Sequence, residues 1–302
     1  MKKRLFTVLF ALLTVGMCNR LCAQTWDFTK RFSDETSIES VKAEIVRLDG
    51  ILEKIAEGRA AYDKLTSLVI ECDTLVTTKP CEELSKALTT VKLLIANAST
   101  ATVNDFAAAY ATLKSARNVA IVRNQKWEDW SWNSSRVTID GNQWYLDTTN
   151  KLAALYSCSA TEANIPETIT YNGEEYIVVA TKRGNRVFST SVTSVNLPQT
   201  LRYIDSGSFN SCSSLKSLSI PDNVYYVGEW ALGSCEKLSN IQLPDSLTTI
   251  GNYAFAYCYA LDSLVIPANV TSVGSDLFYN NSNLKYLYSK ATTAPVCSGS
   301  FN

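Results

Sequence analysis

Residues 221–243, PDNVYYVGEWALGSCEKLSNIQL, read as one unit of a repeat, P-x-x-V-x-x-V-G-x-x-A-L-x-x-C-x-x-L-x-x-I-x-L. Pro198, Pro221, Pro244 and Pro267 stand 23 residues apart, and the apolar pattern travels with them. The same step links Cys212, Cys235 and Cys258, then Phe209, Leu232, Phe255 and Phe278. It also links Leu215, Leu238, Leu261 and Leu284, and Leu218, Ile241, Leu264 and Leu287. A fixed period of this size predicts a solenoid, in which each repeat buries its face only against its neighbours. Leu238-x-x-Ile241-x-Leu243 alternates as an inward-facing strand, and Val224-x-x-Val227-Gly228 reads as a second short extended segment ending in a turn. Glycine recurs at Gly251 and Gly274, with Asp205 in that place one repeat earlier, which suggests a turn needing positive φ.

Working outward, SLKSLSIPDNVYYVGEWALGSC (214–235) and LTTIGNYAFAYCYALDSLVIPANVTSVG (247–274) resemble BspA-type leucine-rich repeats. The stretch 165–198, IPETITYNGEEYIVVATKRGNRVFSTSVTSVNLP, is similar to that family's irregular first repeat. The resemblance runs from about Tyr145 to Asn302 and implies a bacterial surface or secreted protein, some such proteins being adhesins toward host proteins. It transfers no site residue, because the repeated positions are scaffold. The last repeat departs from the pattern: Asn281 stands in the cysteine column, Ser289 replaces a strand hydrophobe, and Ala291 to Pro295 break the register, although Phe301 lies 23 after Phe278. The chain stops inside what reads as a repeat, so a partner or further chain is expected to cover the final coil.

Upstream, residues 35–125 carry helical periodicity. Ile38, Val41, Ile45, Leu48, Leu52 and Ile55 alternate by three and four, and Tyr62, Leu65 and Val69 continue that seam. Thr77, Thr78 and Pro80 break it. A second helix fits Cys81 to Ala96 and a third Val103 to Val122, predicting a three-helix antiparallel bundle. Next come Trp127, Trp130, Trp132 and Trp144, with a hairpin signal at Asp140-Gly141-Asn142 and a further strand at Leu152 to Tyr156. The expected fold class is therefore α+β: a helical bundle at 35–125, a Trp-rich junction and solenoid N-cap at 126–160, and a leucine-rich-repeat solenoid with 23-residue repeats at 161–302.

The N-terminus reads as an export signal over residues 1–23, followed by a lead-in at 24–34. Lys2, Lys3 and Arg4 precede an apolar run from Leu5 to Met17, too short to span a bilayer, and Ala23 offers a cleavage point. Cys18 follows Met17 and Cys22 follows Leu21, where a lipoprotein signal would place a small residue. A secreted or cell-surface location without a membrane span is expected. Cys72, Cys81, Cys158, Cys212, Cys235, Cys258 and Cys297 lie beyond that cleavage point, an odd set in an oxidising compartment. Cys72 and Cys81 flank the first helical break and could close a short loop as a disulfide, or be two small core residues at helix ends.

Composition narrows function further. The chain has no histidine, which removes the commonest general base and metal ligand. The formal net charge is -1, giving no electrostatic footprint for nucleic acid. No phosphate loop, nucleophile elbow or zinc spacing occurs, so neither an enzyme nor a cofactor is expected. The Cys212–Cys235–Cys258 ladder reads as a column of buried thiols, since a linear ladder gives no converging metal ligands.

Binding candidates are the residues that vary between repeats. Tyr203 and Tyr226 are 23 apart and should stack side by side, with Arg202 and Tyr225 beside them; Tyr286 and Tyr288 take outward strand positions. Ordinary cross-strand packing is the plainer reading of each. Trp127, Trp130 and Trp132 could form a platform for sugar rings, or bury at the junction. The functional expectation is adhesin-like recognition of an extracellular protein or glycan through the repeat surface. The alternative is a structural spacer that self-associates through the Ile38–Ile55 seam.

Overall fold

The computed structural model describes residues 38–123, 125–182, 186–297 and 299. The export signal, the lead-in and Phe301 lie outside the described residues, as do the side chains of Ile38, Val41, Ile45 and Leu48. Two compact units divide between Ala120 and Ile121.

The first unit holds α1 (Ile38–Thr78), α2 (Glu82–Ala96) and most of α3 (Val103–Val122). One long α1 runs through Gly50 and Gly58 without a break. It ends at the threonines before Pro80, a residue that cannot continue the backbone ladder. Thr102 starts α3: its hydroxyl accepts from the Asp105 amide at 3.2 Å, while the Asp105 carboxylate accepts from the Thr102 amide at 2.7 Å. The three helices share one buried cluster containing Leu65, Val69, Leu84, Leu88, Val91, Phe106 and Leu113. Cys72 and Cys81 both lie in it as thiols, the second of the two readings of their spacing, and the Cys81 thiol meets the Glu83 carboxylate at 3.0 Å.

The second unit is a β-solenoid. It opens with β1 (Val137–Ile139), β2 (Asn142–Asp147) and β3 (Leu152–Ser157), an antiparallel meander. Asp140 and Gly141 both have positive φ, the geometry of a tight two-residue hairpin turn. β4 (Glu162–Asn164), β5 (Thr168–Tyr171) and β6 (Glu174–Thr181) form the irregular first coil, with β5 and β6 antiparallel. The chain then winds through regular coils that carry two short strands each.

The strands β8 (Tyr203–Ile204), β10 (Tyr226–Val227), β12 (Thr249–Ile250), β14 (Ser272–Val273) and β16 (Val296–Cys297) continue β6 as one parallel ladder. A second wall is built from β4, β7 (Ser194–Asn196), β9 (Ser217–Ser219), β11 (Asn240–Gln242), β13 (Ser263–Ile266) and β15 (Tyr286–Ser289). These pair as β4 with β7, β9 with β11, and β13 with β15. Each column proline turns the corner between the walls: the carbonyls of Pro198, Pro221, Pro244 and Pro267 accept from the amides of Leu201, Val224, Leu247 and Val270.

The interior is the set of columns legible in the sequence. Phe209, Leu232, Phe255, Leu215, Leu238 and Leu261 are fully buried. The cysteine column does more than fill space. The Cys235 thiol donates to the Phe209 carbonyl at 3.2 Å, and Cys258 donates to Leu232 at 3.3 Å. Asn281 repeats that contact, its Nδ2 donating to the Phe255 carbonyl at 2.8 Å, and its Oδ1 accepts from the Cys258 amide at 2.8 Å. Asn281 is therefore no break in the pattern: the column asks for a small side chain with a donor, and both residue types supply one.

The glycine column has a different cause from the one expected. Positive φ does not fall on Gly228, Gly251 or Gly274. A Cβ on Gly228 would lie 2.5 Å from the Ser206 amide nitrogen, and one on Gly251 would lie 2.5 Å from the Gly228 carbonyl carbon. Glycine is required there because the preceding coil's backbone occupies the space. Left-handed backbone falls on two other columns: Gly207, Trp230, Tyr253 and Asp276, and Ser211, Ser234, Tyr257 and Asn280. It turns their amides onto the next coil, as from Trp230 to the Asn252 carbonyl at 2.9 Å and from Ser234 to Ala256 at 2.7 Å.

Burial pushes the Cys212 and Cys258 thiols up to about 12 and Cys235 well above its usual value. With folded thiols titrating above unfolded ones, the unfolded chain releases protons first. Stability is therefore unaffected below about pH 9 and falls between about 9 and about 12. Half-buried Tyr203 and Tyr225, raised chiefly by desolvation, act in the same direction. Urea midpoints at pH 8 and pH 10.5 check this; equal midpoints would contradict it. In the native protein at pH 8, iodoacetamide should label Cys297 and spare the three ladder thiols, with mass spectrometry as the readout.

Candidate binding surface

Two larger aromatic surfaces lie on the outside of the solenoid, beside the smaller Tyr286–Tyr288 pair, and neither was visible as a whole in the sequence pattern. The first forms on the outer face of the main ladder. Along β3 and β6, Ala153, Leu155 and Val178 point into the core, whereas Leu152, Ala154, Ile177 and Val179 belong to a separate apolar cluster outside it. Strands apolar on both faces need a cover. The segment carrying Trp127, Trp130 and Trp132 supplies it.

Asp147 pins that segment: its buried carboxylate accepts from the amides of Ser131 at 2.7 Å, Thr149 at 3.0 Å and Asn150 at 2.9 Å. Burying a carboxylate is costly unless it is hydrogen-bonded, so these donors hold the cover in register. Nothing in the sequence marked Asp147, which differs from any other turn aspartate only in what folds around it.

Tyr203 and Tyr226 stack as their spacing predicts, with centroids 4.2 Å apart and planes 3° apart. Trp127 then stacks on the other face of this array, 4.2 Å from Tyr203. The Tyr225 hydroxyl accepts from the Trp127 amide at 3.0 Å, and the Arg202 guanidinium lies 4.8 Å over the Tyr225 ring while donating to the Asn223 carbonyl at 2.7 Å. Lys182 lies over Trp127 at 4.7 Å. Arg202, Tyr203, Tyr225 and Tyr226 thus make these contacts within the chain while remaining half-buried. The sugar platform is corrected by geometry. Trp130 is buried, and the Trp127, Trp130 and Trp132 planes meet at 45 to 78° instead of lying flat.

The second surface joins Trp230, Tyr253, Tyr257, Tyr259 and Tyr279. Trp230 stacks on Tyr253 at 4.8 Å and 10°, and lies 6.2 Å from Tyr257 at 16°. Tyr279 stands across Tyr253 and Tyr257 at 75° and 70°, and Tyr259 across Tyr257 at 84°. All five retain solvent exposure, Tyr279 at 42%.

Trp230 and Tyr253 share one repeat column while Tyr257, Tyr259 and Tyr279 come from others, so the 23-residue step announces that pair but not the set. The backbone does. Trp230, Tyr253 and Tyr257 sit at φ 53, 54 and 58°, where the equivalent coils use Gly207, Asp276, Ser211 and Asn280. Left-handed backbone costs a bulky residue about 1 kcal/mol or more, and glycine almost nothing. Gly233 completes the arrangement, since a Cβ there would lie 2.5 Å from the Trp230 ring. The Tyr253 hydroxyl hydrogen-bonds the Asp276 carboxylate, which together with Glu229 nearby pushes that phenol up.

Tyr286 and Tyr288 are exposed at 57% and 56% on β15, with Leu287 and Val265 also exposed beside them. A groove of about 380 Å³ adjoins the second wall, lined by Asp222, Gln242, Asp245, Val265 and Lys290 among others. Among the described residues no cluster of carboxylates and thiols could hold a metal ion, and no helix is long and apolar enough to cross a membrane.

Residues 181–302 match a family model described as the BspA type leucine rich repeat region, in six copies. No curated protein matches the chain. Similar solved structures include a leucine rich cell surface protein from Faecalibacterium prausnitzii A2-165, with 23% identity over 54% of this chain and 56% of that one and a TM-score of 0.37. A leucine rich repeat protein of T. pallidum has 23% identity over 55% and 86%, with a TM-score of 0.42. The pneumococcal vaccine antigen PcpA has 18% identity over 53% and 51%, with a TM-score of 0.41. The chain thus spans little more than half of the first of these.

Proposed function

With residues 181–302 being BspA type leucine rich repeats, we propose that the chain is an exported, adhesin-like protein that recognises an extracellular macromolecule through the outside of its coils. It acts by shape and aromatic contact, without a cofactor or covalent chemistry. The observation that carries this reading is the run of rings from Trp230 to Tyr279, three of them on strained backbone. Strain that glycine would relieve is retained where the side chain has a use, and rigid Trp and Tyr rings give contact area at low entropy cost.

A screen against extracellular-matrix proteins and a glycan array tests it. A ligand should bind the wild type and be lost in Trp230→Gly/Tyr253→Asn, both substitutions suiting left-handed backbone. Tyr203→Ala/Tyr226→Ala should instead lower stability, because it empties the stack beneath Trp127. A ligand lost only in the Tyr203/Tyr226 variant, with stability intact, would move the site to the first surface.

The spacer reading keeps one observation: on α1, Leu52 and Ile55 are only half-buried and Val46 is 72% exposed. Light scattering decides it, a monomer at high concentration counting against self-association.

A further inference from the structure

Resting on that reading of the coils, we infer that the Trp230–Tyr279 surface takes cationic side chains, arginine or lysine, of a polypeptide partner. The first argument is the chain's own use of its rings. Around Trp127 in the solenoid unit, rings are covered by the chain's cations, Lys182 over Trp127 and Tyr145, Arg202 over Tyr225, and Arg136 over Tyr156 at 4.2 Å, whereas the smaller Tyr286–Tyr288 stack has none among the described residues. Among the described residues no lysine or arginine lies over Trp230, Tyr253, Tyr257, Tyr259 or Tyr279. The richest ring cluster is the one whose attraction for a cation the described chain leaves available.

Charge is the second argument. Asp276 and Glu229 act on the Tyr253 hydroxyl, and Glu236 lies one residue past the cysteine column of the same coil as Trp230, against a single cation, Lys237. Electronegative ring faces beside carboxylates make a site for a guanidinium or ammonium group, whereas an acidic or phosphorylated partner would be repelled. A neutral glycan would gain from the rings but nothing from the carboxylates.

The test is calorimetric titration of the full chain with twelve-residue peptides of arginine, of glutamate and of neutral Gly-Ser sequence, at 0.05 M and 0.5 M salt. The arginine peptide should bind and the other two should not. Its affinity should fall at least tenfold in Trp230→Gly/Tyr253→Asn and at least tenfold in Glu229→Gln/Asp276→Asn. Asp222→Asn/Asp245→Asn, at the groove on the other wall, should leave it unchanged. Circular dichroism confirms that each variant keeps its fold; glycine at 230 restores the residue type found at Gly207.

Equal loss in the groove variant, or none in the ring variant, would reduce the binding to unspecific charge and overturn the inference. A protein or glycan from the screen that is lost in the ring variant, yet indifferent to salt and to Glu229→Gln/Asp276→Asn, would also overturn it while leaving the coils as a binding surface. Should neither the ring variant nor Tyr203→Ala/Tyr226→Ala lose a ligand of any kind, the proposed function falls with the inference.

Discussion

Alanine at position 251 is expected to cost about 3 kcal/mol of stability, a large effect for one added methyl group. The Gly251 amide donates to the Val227 carbonyl at 2.8 Å, which draws the coil tight against its predecessor. A Cβ would meet the Glu229 amide nitrogen and, at 2.5 Å, the Gly228 carbonyl carbon. These are backbone atoms, which cannot turn aside as a side chain would, so the two coils must separate and stretch ladder hydrogen bonds. Gly50→Ala is the matched control: nothing lies within 4 Å of its Cβ, and it sits within helix α1. That change should stabilise by about 0.5–1 kcal/mol, because alanine loses less backbone entropy in a helix. Urea denaturation of both variants gives the comparison. Similar midpoints for Gly251→Ala and wild type would mean that coil stacking is looser than these distances require.

Leu264→Ala is expected to cost about 3 kcal/mol, and Leu287→Ala, the same column one coil later, less than about 1 kcal/mol. Leu264 is 2% exposed, with β15 paired alongside its strand β13. Leu287 is 44% exposed, so truncating it removes little buried surface and opens no closed cavity. In a solenoid each coil is stabilised by its neighbours, and a residue's worth is set by whether a coil lies on both sides. Denaturation midpoints of the two variants measure the difference directly. A large loss at Leu287 would show that something covers it in solution, and concentration dependence of that loss would identify the cover as a second copy.

Much of this molecule was legible before folding because its core is periodic. A residue facing inward in one coil faces inward 23 residues later, so Phe209, Leu232 and Phe255 declare one column together. Helix ends were legible for a local reason: Thr77, Thr78 and Pro80 interrupt the seam that α1 follows. Misreadings arose where a residue type has two physical uses. Glycine at 228, 251 and 274 could answer positive φ or close approach, and only the placement of the preceding coil separates them. Asn281 looked like a departure by residue identity, yet it makes the same hydrogen bond as the cysteines before it.

The sequence by itself determined the repeat length, the inward columns and the order of helices before coils, because those depend on spacing along one chain. Tertiary structure alone decided what meets on the outside. Trp127 lies on Tyr203 from a distant part of the chain, and Tyr257, Tyr259 and Tyr279 gather from other columns around the Trp230–Tyr253 pair. Contacts between equal positions of successive coils repeat with the period and can be counted. Contacts between unequal positions depend on how each left-handed turn aims its side chain, and that direction exists only once the coils are stacked.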